Sequence, residues 1–232
     1  MRIFSILLCV LFIAFSIAGS AAALTVNFVD GTLYNTEALT GYQTHGDDMD
    51  GMKIIATFSD ETQQTLFWAD TAVDAGGVTG TGWSLGVNVD TFLEDAWTLR
   101  FNSPSLTLTN LFIDAGKGDT VFDVVYGSNA SQGSAFGKPF NTGYNGDLTA
   151  TYRDRVAVGG ILYGDLYRTL NLDFGSNGFG GVMNFTADAD NLSIAGDIKP
   201  VNPVPEPATL LLLGTGLIGL AGSQRKKFFR KS

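Results

Sequence analysis

The chain has one cysteine, one histidine and few cations outside its two ends. Cys9 lies in an apolar run near the start, so the rest of the chain has no thiol. That excludes a disulfide, a thiolate nucleophile and a thiolate metal site from the body. His45 stands alone, which excludes a multi-histidine zinc centre. A lone loop histidine also disfavours a Ser–His–Asp relay, and no nucleophile elbow is expected. Basic residues are short as well: 14 Lys and Arg against 23 Asp and Glu, a net charge of −9. Setting aside Arg2, Glu206 and the five cations of the C-terminal tip leaves 22 acidic and 8 basic residues. Such a body repels phosphates and excludes nucleic acid as a partner. The excess acid keeps the chain soluble or attracts divalent cations, and solubility is the favoured reading.

The long apolar runs are confined to the two ends. Residues 1–23 open with Arg2, continue apolar from Ile3 to Ala18, and finish Gly-Ser-Ala-Ala-Ala. A charged start, an apolar middle and an A-x-A ending make a secretory signal peptide, with signal peptidase cutting after Ala23 and accepting Ala21 and Ala23. Cys9 lacks the small residues that precede a lipid-modified cysteine. About 180 residues remain for the body, long enough to build its own core.

At the other end, residues 208–222 carry no charge. As a helix they span roughly 22 Å, short of the ~30 Å hydrocarbon layer. Ser223 and Gln224 extend the run, and basic side chains snorkel back. The expectation is one transmembrane helix over 208–224. The tail 225–232 holds Arg225, Lys226, Lys227, Arg230 and Lys231, a cluster that stays cytoplasmic and leaves the body outside. Before the span, residues 200–207 hold four of the six prolines. Pro205, Glu206 and Pro207 form an extended, stiff segment at the mouth of the span.

Pro205-Glu206-Pro207, the short apolar span and the basic tip together resemble the PEP-CTERM sorting signal of Gram-negative bacteria. The resemblance implies recognition and cleavage by an exosortase, and a host that makes extracellular polysaccharide. The basic cluster begins Gln224-Arg225 and is lysine-rich, a small departure from the Arg-rich pattern. Segments of the body, among them "GDDMDGMKIIATF" and "FTADADNL", look like a group of exosortase-sorted sandwich proteins from which no activity carries over.

The body, residues 24–199, reads as all-β. Trp83, Leu85, Val87 and Val89 alternate with polar or small residues; so do Trp97, Leu99 and Phe101, then Leu148, Ala150 and Tyr152, then Leu170, Leu172 and Phe174. A period of two means one buried face and one wet face. Further strands are expected at 24–28, 52–59, 65–69, 106–113, 121–126, 182–186 and 191–195. The stretch 53–58, "SDETQ", 65–68 has the form of a hairpin. Short strands punctuated by Gly, Asn and Asp argue for a single jelly-roll-like antiparallel β-sandwich.

Two acidic stretches are candidate cation sites. In residues 45–52, Asp48-x-Asp50-Gly51 matches part of a calcium loop, but Gly46 stands where an acid belongs and the closing glutamate is missing. Residues 185–194 resemble the closing strand of jelly-roll carbohydrate modules; there Asp188, Asp190 and Asn191 either bind calcium or brace the backbone, and bracing is favoured. Trp68, Trp83 and Trp97 are expected in the core and not on a sugar platform. No spacing of acids selects a hydrolase pair. The reading is a non-enzymatic exported protein with a structural or adhesive role beside exopolysaccharide. A carbohydrate-binding module, with calcium as its one candidate cofactor, is the second reading, and a secreted glycan hydrolase the third.

Overall fold

The computed structural model describes residues 24–41, 43–125, 137–201 and 217. Alternation in the sequence becomes alternation in burial. In β4 (Lys53–Phe58), Ile54, Ala56 and Phe58 point inward; β8 (Trp83–Val87) and β9 (Trp97–Phe101) bury every other residue. β4 and β5 (Gln63–Phe67) form the expected hairpin, with Thr57 opposite Gln63. Its turn is held by the Asp60 carboxylate, which accepts the Thr62 N–H and hydroxyl, and Glu61 takes the left-handed position at φ 66°.

The strands form two sheets. In the larger one, β5 and β4 are followed by β10 (Leu108–Asp114), β14 (Leu166–Asp173) and β13 (Leu148–Val158), all antiparallel. Beyond the end of β10, β11 (Thr120–Asp123) continues along β14 and pairs with β16 (Ala189–Leu192), which pairs with β3 (Leu39–Gly41). The smaller sheet runs β12 (Asn141–Thr142), β15 (Gly181–Thr186), β9, β8, β7 (Ala75–Gly80), β6 (Ala69–Ala72), again antiparallel. The antiparallel sandwich expected from the alternation is therefore present. Its exception is the start of the chain: β1 (Leu24–Val29) and β2 (Tyr34–Thr36) both lie parallel to β13. The turn between them offsets the chain without reversing it. Gly31 has φ 57° there, and the Thr32 N–H donates to Asp154 Oδ1.

Between the sheets lies one large core. Trp97 is fully buried at its centre, against Trp68, Phe122 and Phe185, and its indole N–H donates to the Ala187 carbonyl at 2.7 Å. Trp68 and Trp83 are also buried, so all three tryptophans belong to the core. Each fully buried large apolar side chain contributes about 1.5–3 kcal/mol. A second cluster of Leu39, Val121, Val156, Val158, Leu166 and Leu192 covers the other side of the larger sheet. β11 lies between the two clusters, with Val121 in one and Phe122 in the other, which is why all four of its residues are buried.

Trp68 also explains a boundary that alternation alone misplaced. One strand was expected over 65–69. Instead the chain leaves the larger sheet after Phe67, turns Trp68 into the core, and starts β6 in the smaller sheet at Ala69. The compact body ends at Lys199. The expected signal peptide, with Ala21 and Ala23, lies outside the described residues. So does the expected span, apart from Leu217, which is helical and exposed. Among the described residues no helix is long and apolar enough to cross a membrane.

Candidate functional site

The calcium candidates separate into two groups. Asp48 and Asp50 belong to the loop after His45. There the Asp48 carboxylate accepts the His45 N–H at 2.9 Å, and Asp47 accepts the Asp74 N–H at 2.9 Å. Gly46 is pressed against the smaller sheet: its carbonyl accepts the Trp68 indole N–H, and an added Cβ would overlap the Gly76 nitrogen and the Val87 oxygen. The position that an acid would occupy in a calcium loop thus has no room for a side chain. Asp70 faces this loop. Loss of water and a hydrogen bond to Asp50, with Asp47 and Asp48 nearby, raise its carboxyl above the ordinary value.

Asp188 and Asp190 are buried at the corner where the chain passes from β15 to β16, between the two sheets. Asp188 Oδ1 accepts the Thr91 hydroxyl and the Ala189 N–H, each at 3.0 Å. The Asp188 backbone bonds to Lys138 and Asp123, and Thr91 in turn bonds to the Thr44 carbonyl. Four separate segments, at Thr44, Thr91, Asp123 and Lys138, meet on this corner. Asp188 Oδ2 has no hydrogen-bond partner among the described residues. Burial, followed by the charge of Asp190, pushes the Asp188 carboxyl up to about 8; Asp123 adds to this, while Thr91 and the Ala189 N–H oppose it. Asp123 and Asp165, which the alternation did not single out, are also buried. Among the described residues no three His, Cys, Asp or Glu side chains form a group that holds a metal ion.

Sequence reasoning also passed over residues 82–86, Gly-Trp-Ser-Leu-Gly, which match the Gly-x-Ser-x-Gly spacing of a nucleophile elbow. Ser84 lies in the middle of β8, between Thr79 and Arg100 on the neighbouring strands. An elbow needs a sharp strand-to-helix turn, so this serine belongs to a sheet face instead.

That face is the outer side of the smaller sheet. Because Val78, Leu85, Leu99 and Met183 point inward, their strand neighbours point out. The register sets Thr79, Ser84, Arg100 and Val182 in one row and Gly77, Gly86, Thr98 and Asn184 in the next. A hollow of about 310 Å³ lies over the β7–β9 part of this face. A second, of about 390 Å³, is bordered by Asp95, Tyr144, Asn145, Val182 and Asn184. The Thr98 hydroxyl, bonded to Asn184 Oδ1 at 3.1 Å, stands between them.

Residues 203–226 match the PEP-CTERM protein-sorting motif. No curated protein matches the chain, and no solved structure does. The matched stretch contains Pro205, Glu206, Pro207, Arg225 and Lys226, all outside the described residues, as are Lys227, Arg230 and Lys231. The chain therefore carries a PEP-CTERM sorting signal behind a β-sandwich. The signal marks an exported protein that is handled by an exosortase.

Proposed function

We propose that this exported, exosortase-sorted sandwich protein is a non-enzymatic structural or adhesive component of the envelope or of the extracellular polysaccharide matrix. The observation that carries the reading is the sorting motif at residues 203–226, beyond a body that ends at Lys199. In the proposed sequence of events signal peptidase cuts after Ala23 and the apolar stretch 208–224 holds the precursor in the membrane. The basic tip stays inside, and exosortase acts near Pro205-Glu206-Pro207. The product remains on the cell surface or in the matrix. Intact mass and cell fractionation in an exosortase-bearing host test this. The native chain is expected to lose both ends and to fractionate with surface material. A variant with Pro205, Glu206 and Pro207 changed to Ala is expected to keep its tail and stay with the membrane. A native chain that keeps every terminal residue and is free in the medium would refute the reading.

A second reading, a carbohydrate-binding module, is supported by the hydroxyl and amide side chains around the two hollows on the outer face. It is compatible with the first, since adhesion to a matrix requires a contact with glycan.

A further inference from the structure

We propose that the outer face of the smaller sheet is a groove for a carboxylate-bearing polysaccharide, with Arg100 as its anionic anchor and the Gly77–Gly86 floor as the seat of a sugar ring. The inference rests on the matrix role proposed above and deepens it.

The floor comes from register. Gly77 and Gly86 are directly opposite on β7 and β8, so two adjacent outward positions have no side chain. The next row supplies the Thr79 and Ser84 hydroxyls, then Arg100. Hydroxyls, an amide and exposed glycine backbone are the groups that exchange hydrogen bonds with sugar hydroxyls. The two hollows, about 310 and 390 Å³, each reach the lower end of the range for small-molecule sites, roughly 300–1,000 Å³. The first reaches β9 at Thr98 and Arg100 and the second reaches β15 at Val182 and Asn184, so a chain crossing from Thr98 to Asn184 on these paired strands passes from one to the other.

Charge identifies the occupant. Arg153, Arg155 and Arg168 each lie within reach of a carboxylate: Asp154, Asp30 and Asp114. Arg100 is exposed and has no such partner among the described residues, although the chain carries a net charge of −9. An unpaired guanidinium beside neutral hydroxyls complements a carboxylate on a polyhydroxy chain, which its planar fork binds bidentately. A protein partner would want buried aromatic or aliphatic anchors, and Val182 is the one large apolar side chain exposed in these two rows.

The test uses the protein purified from an exosortase-bearing host, titrated with polygalacturonate and, as the neutral control, dextran. Arg100→Gln removes the anchor. Gly86→Leu fills the floor; a Cβ there meets only Gly76 O, at 3.4 Å. Lys117→Gln is the charge-matched control away from the groove. The native protein and Lys117→Gln are expected to bind polygalacturonate more tightly than dextran, and the two groove variants at least tenfold more weakly, with unchanged melting temperatures. Equal binding by Arg100→Gln and the native chain overturns the inference, as does absence of polygalacturonate binding or a preference for dextran. Matrix extracted from the host separates the two levels. Native protein held by the matrix as firmly as both groove variants refutes the groove alone, and native protein that never associates with it refutes the matrix role.

Discussion

Replacing Asp188 by asparagine should stabilise the protein at alkaline pH, against the general rule that core substitutions destabilise. The Asp188 carboxyl is raised from 3.8 to about 8, by burial first and then by Asp190, with Asp123 adding to it. The folded chain therefore holds a proton there at pH values where the unfolded chain has released it. By linkage, the contribution to stability is complete below about pH 4, the ordinary Asp range. It is lost as pH climbs through the folded value of about 8. The interval corresponds to on the order of 5 kcal/mol between the protonated and ionised forms, a large share of the roughly 5–15 kcal/mol that holds a domain together. Asparagine keeps the Oδ1 acceptor used by Thr91 and Ala189 and has no charge to desolvate. Urea unfolding at pH 5, 7 and 9 is the assay. The native chain should lose stability from pH 5 to 9, while Asp188→Asn should change little and lead by about 2 kcal/mol or more at pH 9. Asp188→Ala, which loses both bonds, should be about 1–3 kcal/mol less stable than Asp188→Asn at every pH. A native stability that is flat or rises over this range refutes the reasoning. So does a rise in melting temperature on adding calcium that Asp188→Asn abolishes, since the corner would then hold a cation in place of a proton.

Two further outcomes follow from carboxylates held by an ion pair and by hydrogen bonds. Arg168 grips Asp114 with Nε at 2.8 Å and Nη2 at 2.9 Å, and the two side chains are 14% and 11% exposed. Arg168→Gln should cost about 3 kcal/mol in urea unfolding, because it leaves a largely buried carboxylate without its cation; Asp114→Asn combined with it should recover most of the loss, and no recovery would count against this account. Asp197 accepts the Glu37 N–H and the Thr36 hydroxyl, tying the last segment of the body to β2. These bonds, the Glu37 one first, hold its carboxyl below the ordinary value. Their stabilisation is present above that ordinary value and lost as pH falls through the lower, folded one. Asp197→Ala should cost about 1 kcal/mol, abolish this acid-side loss, and speed limited proteolysis near residue 197; unchanged proteolysis would sink the claim.

The fold was legible wherever one face of a strand is wet. Trp83, Leu85 and Val87, or Trp97, Leu99 and Phe101, announce their strands by period two, and each is buried on the expected side. The signal fades in three physical situations. In β11 both faces are covered, so Thr120–Asp123 shows no alternation. In β7, Ala75–Gly80 is half glycine, a residue poorly suited to strand interiors; Gly46 and Gly76 are needed there because the 45–52 loop lies directly on the sheet. At β1 and β2, the parallel pairing depends on the remote strand β13, and nothing local to residues 24–36 encodes it.

The candidate groove shows the same limit more sharply. Part of the outward set was visible in sequence, since Ser84 and Gly86, then Thr98 and Arg100, fill the polar slots of two clearly periodic strands; Gly77 and Thr79, in glycine-rich β7, were not. What no single strand reveals is that Gly77 faces Gly86, that Ser84 faces Arg100, and that Thr98 faces Asn184 from a strand more than eighty residues away. A one-residue slip of any of these strands would turn its outward set into the core. Trp83, Leu85, Trp97, Leu99 and Met183, all buried, forbid that slip. The apolar half of each strand therefore fixes the register that aligns the polar half. Core packing between the sheets and the juxtaposition of side chains on the outer face are two consequences of one pattern, and a substitution that loosened the tryptophans would blur the groove before it unfolded the sandwich.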